Sequence, residues 1–505
     1  MKYAERIAKN TFAVLILGLL GTLLGYGLRV YLAHNLSIVE FGMIYSVLGF
    51  LYFLSTFKDL GLGQTVTKFA AEFRIKNEKT NLKSLISFSF LIQLVAGIII
   101  FCILYTFSDF MAMNFFHNPS AGILVKILSI DFLIGFTVFR AVLQGFQKMK
   151  IYALLEPVRI VLIFLIFFYI TIFTTLGAKE VALSYLLSAA VIDTALFIYI
   201  FKIYRSYKTE KITTNIVTRL VRFSATLFTG SIASITVSSI DVIMITFFLS
   251  LKDVALYQAA MPTAYLLSIF STALGISLLP SVSEIWNSRK KNMLGKGISL
   301  VLRALFIFII PFVIIFVTFP ELILNIIFGG AYTAAASLLQ IFAISLIFYS
   351  MYGTMSTVLV SIGRAGTATK IIIVTAVISA LLNVILINTI GVIGAALSSL
   401  ISYLAASIMA YRSLNKYVNL KFDFKSLLKA FIGGTIAVAI IFIIKNILIM
   451  SPVLEAVISL VFGIAFYAAF IIIFKVVKKS DIRILKEIDM KIPSFILRIL
   501  KRVVE

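Results

Sequence analysis

Polar residues along this chain retreat into short clusters, and between the clusters run apolar stretches of about the length a helix needs to cross a bilayer, roughly 20 residues. Breaking the runs at charged clusters and Gly or Pro corners marks off fourteen of them. The first six cover 11–33, 41–64, 85–107, 121–147, 152–176 and 181–203. The next six cover 223–249, 254–285, 300–320, 334–361, 368–388 and 392–411, and two more cover 427–447 and 454–476. The corners are short, as at His34-Asn35-Leu36-Ser37, and none has room for a folded soluble domain. The pattern predicts an all-α polytopic membrane protein with about fourteen transmembrane helices. After the last run, Phe495, Ile496, Ile499, Leu500 and Val503 oppose Arg498, Lys501 and Arg502, which predicts an amphipathic helix lying on the headgroup surface.

The pattern repeats. The corner Leu36-Ser37-Ile38-Val39-Glu40-Phe41-Gly42 recurs as Leu249-Ser250-Leu251-Lys252-Asp253-Val254-Ala255. Asn114-Phe115-Phe116-His117 is echoed by Asn325-Ile326-Ile327-Phe328, and Leu143-Gln144-Gly145-Phe146-Gln147-Lys148 by Val360-Ser361-Ile362-Gly363-Arg364. Three echoes in one order, one six-helix unit apart, imply two parallel six-helix lobes with a site between them. The expected organisation is an N-lobe over 1–215, a C-lobe over 216–415, two additional helices over 416–480 and a basic cytoplasmic tail over 481–505.

Composition agrees, with 61% hydrophobic residues against the usual 45–50%, and a mean hydropathy of +1.10. A formal net charge of +24 would suggest nucleic acid in a soluble protein, but here the basic residues sort by side. Alternate segments collect Lys2, Arg6 and Lys9, then Lys68 to Lys83, Lys148 and Lys150, Lys202 to Arg222, and Arg289 to Arg303; the segments between hold Lys179, Lys252 and Lys445. Basic residues favour the cytoplasmic side, so both termini are expected in the cytoplasm of a protein of the cell membrane, with no nucleic-acid partner. The first run is too long for a cleaved signal. The single cysteine, Cys102, excludes an intramolecular disulfide and is expected to be a buried thiol.

Charges inside the runs change the picture further. Arg29 lies in the first run, Lys58-Asp59 near the end of the second, and Lys126, Arg140, Arg159, Asp131, Asp193 and Asp241 at membrane depth in later ones. An ionised group at the centre of a spanning helix costs at least about 2.5–3.5 kcal/mol, so such residues face a wet cavity or a partner. The 11–64 hairpin is therefore expected to wall a polar cavity in a transporter. No phosphate-binding loop supplies nucleotide energy, because Gly61-Leu62-Gly63-Gln64-Thr65 lacks the required lysine.

Several stretches resemble signatures of a known family. Glu40-Phe41-Gly42, Asp59-Leu60-Gly61-Leu62-Gly63, Ile326-Ile327-Phe328-Gly329-Gly330-Ala331-Tyr332, and Asn383-Val384-Ile385-Leu386 followed by Gly391-Val392-Ile393-Gly394-Ala395-Ala396 look like those of polysaccharide biosynthesis flippases. These are the Wzx-type oligosaccharide-lipid transporters of the multidrug/oligosaccharidyl-lipid/polysaccharide superfamily, whose fold is MATE-like. The resemblance runs to about residue 415 and implies twelve core helices in two lobes, often with two more. It also implies alternating access that carries an undecaprenyl- or dolichol-pyrophosphate-linked glycan from the inner to the outer leaflet. Glycosyltransferases or a polymerase of the same pathway would be partners, together with membrane lipids.

Such a substrate carries an anionic phosphate, so its path needs cations. Arg29 and Arg140 are the first candidates, since a guanidinium makes bidentate bonds and keeps its proton when desolvated; Lys58, Lys126 and Arg159 complete the set. Arg29 and Lys126 lie near outer helix ends and could instead reach to headgroups, and Arg159 is spaced to pair with Glu156. Asp241, Asp131 and Asp193 are candidates for coupling to Na⁺ or H⁺, with a buried ion pair as the alternative for Asp241. No cofactor or metal is expected. Asp59, Gly61, Gly25 and Pro262 are candidates for gating, and the glycines serve close packing equally well. A multidrug antiporter of the same superfamily would be expected to carry an acidic residue where Arg29 stands; a lipid II flippase differs mainly in substrate. A membrane glycosyltransferase or polymerase would need catalytic groups on an outer loop, and 107–118 offers only Asp109 and His117.

Overall fold

The computed structural model describes residues 2–175, 177–205, 214–288, 291–420, 424–447 and 452–476. The expected tail helix over 493–504 lies outside the described residues. The elements are α1 (Lys2–Asn35), α2 (Ile38–Asp59), α3 (Leu62–Ile75), α4 (Lys79–Asn114), α5 (Ala121–Ser129), α6 (Asp131–Ile134), α7 (Thr137–Gly145), α8 (Met149–Thr171), α9 (Ala178–Arg205) and α10 (Thr214–Phe248). They continue with α11 (Leu251–Tyr265), α12 (Ser268–Asn287), α13 (Lys291–Thr318), α14 (Pro320–Phe328), a 3-10 turn (Gly330–Ala335), α15 (Ala336–Ser361), α16 (Ala365–Ile390), α17 (Val392–Asn415), α18 (Phe424–Ile447) and α19 (Pro452–Ile473). Among the described residues there is no strand, and twelve helices are long and apolar enough to cross a membrane.

The two other expected spans are each divided. The 121–147 run becomes α5, α6 and α7, with a bend of 41° between the α5–α6 stretch and α7. Gly135 and Phe136 are extended there, with φ/ψ of −82°/107° and −113°/114°. The 254–285 run becomes α11 and α12, divided at Leu266-Leu267 just after Pro262. Hydropathy reads burial in lipid and is blind to such defects. The Lys76-rich segment after α2 is also not a loop: it carries the amphipathic α3, which packs on α4, α7 and α10.

The chain divides into two compact units, one of residues Met1–Gln258 with Ala380–Val392, the other of Ala259–Ser379 with Ile393–Glu505. The first unit has a core of Val66, Phe69, Phe73, Leu85, Val138 and Val142 among others, where α3, α4 and α7 meet. In the second, Leu302, Leu305, Val358, Leu359, Ala406 and Ala410 join α13, α15 and α17, and Ile310, Ile314, Ala437 and Ile441 join α13 to α18. Much of the remaining apolar surface points outward, as lipid-facing positions must. Cys102 is among these outward residues, beside exposed Ile98, Ile99 and Ile103, and is not the buried thiol expected of it.

The repeated motifs fold alike. Ser37 and Glu40 exchange reciprocal bonds at the start of α2, the Glu40 N–H to Ser37 Oγ at 3.3 Å and the Ser37 N–H to Glu40 Oε2 at 3.1 Å. Ser250 and Asp253 do the same at the start of α11, at 3.3 and 3.1 Å. Gly42 lies so close to the Leu251 carbonyl that a Cβ there would overlap it. The ends of α7 and α15 match too: the Lys148 N–H reaches the Leu143 carbonyl at 2.9 Å and the Arg364 N–H the Leu359 carbonyl at 2.8 Å, each across a left-handed residue, Gln147 or Gly363.

Candidate functional site

The break in α5–α7 opens a cavity of about 270 Å³ within the first unit. Its wall runs along one face of α2 (Leu48, Leu51, Tyr52, Ser55, Lys58), across the break (Asp131, Phe132, Gly135, Phe136, Thr137, Arg140), and back over Arg159 of α8 and Tyr185, Ala189 and Asp193 of α9. Five residues singled out by their charge within apolar runs thus meet in one place: Lys58, Arg140, Arg159, Asp131 and Asp193. Asp193 interacts electrostatically with Arg140, Asp131, Arg159 and Lys58. It is buried at 5% exposure, and its Oδ1 finds no hydrogen-bond donor among the described residues; neither does Arg159 Nε find an acceptor. Arg140 is nearly uncommitted, its ion pair with Glu156 standing at 3.9 Å. The local pairing expected for Arg159 with Glu156 goes instead to Arg140. Carboxylates and guanidiniums this close with open valences can hold a solvated anion or a cation in low dielectric.

The neighbouring pair Lys58-Asp59 braces the break from both sides. Lys58 Nζ donates to the Gly135 carbonyl and lies 4.6 Å from the Phe136 ring centroid. Asp59 accepts from the Thr137 hydroxyl at the start of α7, from Gln93 Nε2 at 3.0 Å and from the Gly63 N–H at 3.1 Å. Gln93, fully buried on α4, was not anticipated; it also takes the Val138 N–H at 3.3 Å. Gly61 follows in the left-handed region at φ +75°, and a side chain there would meet the α10 backbone, 2.5 Å from the Ser224 carbonyl. Its glycine is thus fixed by both a positive φ and a close approach.

The other candidates lie elsewhere. Arg29 donates through Nη1 to the Gln258 carbonyl at 2.8 Å and to Gln258 Oε1 at 2.5 Å, with its guanidinium 4.2 Å from the Tyr45 centroid. The carbonyl it takes is the one Pro262 cannot satisfy, since proline lacks the N–H that would reach back four residues. Gln258 carried no signal in the sequence beyond its position four before a proline. Lys126 is bound to Asp109 at 2.8 Å on an exposed edge of α5. Asp241 is sealed at 4% exposure, accepting from the Tyr257 hydroxyl and from Asn383 Nδ2 at 2.6 Å. Gly25 faces Ile160 of α8, and Gly21 faces Pro157, both at ordinary contact distance.

The family model described as "Polysaccharide biosynthesis protein" matches residues 7–286, more than half of the chain. The chain belongs to that family. A second family model, MatE, matches residues 226–386. An uncharacterized membrane protein of Methanocaldococcus jannaschii, MJ1068, is 28% identical over 468 residues, covering 89% of this chain and 92% of that protein. The probable low-salt glycan biosynthesis flippase Agl15 of Haloferax volcanii is 24% identical over 236 residues, 47% of this chain and 50% of Agl15. Among solved structures, the lipid II flippase MurJ in an inward closed conformation superposes with a TM-score of 0.72 at 18% identity, covering 93% of this chain and 98% of MurJ. The fold is therefore that of the MATE-like transporter superfamily, and the chain is a flippase-like multi-pass membrane transporter.

Proposed function

We propose that this protein moves a lipid phosphate- or pyrophosphate-linked oligosaccharide from the cytoplasmic to the outer leaflet of the cell membrane by alternating access, for assembly of a surface glycan. The observation that carries the reading is the convergence of Lys58, Arg140 and Arg159 on one cavity at membrane depth. Cations placed there serve an anionic headgroup, and the two guanidiniums keep open donors for it. A volume of about 270 Å³ falls just below the roughly 300–1,000 Å³ of sites that enclose drug-sized ligands, so the cavity takes the headgroup and leaves a longer glycan outside it. Similarity to Agl15, named as a probable low-salt glycan biosynthesis flippase, and the family match support the substrate class.

In this reading Arg29 and Lys126 hold structure, Arg29 at the Gln258 carbonyl and Lys126 at Asp109. Asp131 and Asp193 share the cavity with the cations and couple transport to H⁺ or Na⁺; Asp241 is a second coupling candidate with Tyr257 and Asn383 around it. The termini face the cytoplasm, where the glycosyltransferases that build the substrate would meet the carrier.

The test is transfer of a fluorescent lipid-linked glycan across vesicles containing the purified protein. Arg140→Ala with Arg159→Ala should bring transfer to the protein-free rate while the protein elutes and melts as the wild type does. Transfer at the wild-type rate in that variant would remove the cavity from the path.

A further inference from the structure

Among the described residues, Lys58 differs from the other cavity cations in having a backbone partner. Helix α7 starts at Thr137, and the Phe139 N–H bonds back to the Phe136 carbonyl at 3.3 Å, so the Gly135 carbonyl lies outside the helical ladder. At membrane depth a carbonyl without a donor is costly, and Lys58 Nζ is the donor supplied. The stem reaches it through a gap that exists because residue 97 is glycine: a Cβ there would stand 3.2 Å from Lys58 Cε and overlap the Phe132 carbonyl. Lys58 is 5% exposed, and the rings of Phe136 and Phe132 flank its ammonium at 4.6 and 5.9 Å. Asp59 meanwhile fixes the opposite side of the break through Thr137. Adjacent residues at the end of α2 thus hold the two ends of one helix defect.

We propose that Lys58 is a positioning residue that ties headgroup binding to movement of the break. Its ammonium holds the Gly135 carbonyl; a phosphate on Arg140 and Arg159 draws it away and releases α6 from α7. The inference rests on the reading of the cavity as a headgroup site. A charge attracts an ammonium more strongly than a carbonyl dipole does, and lysine is a mobile point charge with three donors on a flexible stem. Asp131 and Asp193 already pull on Lys58 from within the cavity, so the swing carries it toward opposite charge. Arg140 stands one turn into α7, so what moves the break also moves a headgroup contact.

The experiment is hydrogen exchange of residues 135–140 in the full chain, held in nanodiscs of zwitterionic lipid, with and without undecaprenyl phosphate, binding being measured on the same samples. In the wild type the probe should speed exchange at the break about tenfold, the effect of losing one charge-assisted hydrogen bond. Lys58→Met binds the probe more weakly, so it is supplied at a saturating concentration for that variant, and exchange should then run at the fast rate with or without the probe; a merely structural lysine would shift both states of the protein equally and leave the probe's effect intact. Bound probe with unchanged or slowed exchange in the wild type overturns the inference, even if Lys58→Met does not fold. A probe effect that persists in Lys58→Met overturns it too. Failure of the wild type to bind the probe instead overturns the headgroup reading.

Discussion

Two arginines at membrane depth, Arg29 and Arg140, look alike in the sequence and have opposite surroundings. Arg29 is engaged by the protein: its guanidinium lies over the Tyr45 ring and gives both a backbone and a side-chain bond to Gln258. Arg140 meets a cavity, and its carboxylate partner is 3.9 Å away. Depth in the membrane explains why each needs company; it does not say whether the company is the protein itself or a ligand. The distinction is set by backbone defects. Pro262 frees the Gln258 carbonyl and Arg29 fills it, while Pro311 of α13 frees that of Ile307, which the Tyr467 hydroxyl reaches at 3.4 Å. Arg29, spent on repairing a helix away from the cavity, is therefore taken off the list of candidate headgroup contacts, and Arg140 and Arg159 stay on it.

This contrast can be broken by substitution, with the largest effect in the cavity. Arg140→Ala and Arg159→Ala should each weaken binding of a polyprenyl phosphate about tenfold or more, the worth of a hydrogen bond to a charged group, with little change in melting temperature. Arg29→Ala should act the other way round. Leaving the Gln258 carbonyl without its donor should cost about 1–3 kcal/mol of stability, read from thermal unfolding in detergent. Pro262→Ala restores the missing N–H, so the double variant should recover part of that loss, with a coupling of about 1 kcal/mol in the cycle. Additive losses would show that Arg29 does not repair the proline site.

Smaller effects are expected where the partner is weak or wet. Tyr467→Phe should destabilise by about 0.5–1.5 kcal/mol, at the lower end given its long bond, and less in a Pro311→Ala background. Glu72 on α3 bonds Lys76 at 2.8 Å and Arg219 of α10 at 3.1 Å, and the bond from Lys76, ahead of that from Arg219, holds its carboxyl below the usual range. Because the folded value is depressed, this contribution is present at neutral pH and fades as pH falls below the ordinary carboxylate range toward the folded value. Glu72→Gln should remove it, a loss of at most about 0.5 kcal/mol that high salt also erases.

Much of the fold was legible because lipid imposes a simple code of length and apolarity, and twelve of the expected spans follow it. The Ser37-Glu40 and Ser250-Asp253 caps were legible for a similar reason: a capping box is a local bond between residues three apart. The break at Gly135-Phe136 was not, since a glycine in mid-run leaves an apolar stretch reading as continuous helix. At the site, charge within apolar runs picked out the five charged residues that line the cavity. What it could not show was which donors are already taken, because Gln258 lies 229 positions from Arg29 and Gly135 lies 77 from Lys58.

The role of the cavity is tested most directly by one comparison, the affinity of a polyprenyl phosphate in nanodiscs for the wild type, for Arg140→Ala/Arg159→Ala and for Arg29→Ala. Binding that collapses in the cavity variant and stays within about threefold of wild type in Arg29→Ala is the predicted result, given that tenfold corresponds to about 1.4 kcal/mol. Binding that survives the loss of both cavity arginines and fails without Arg29 would contradict it.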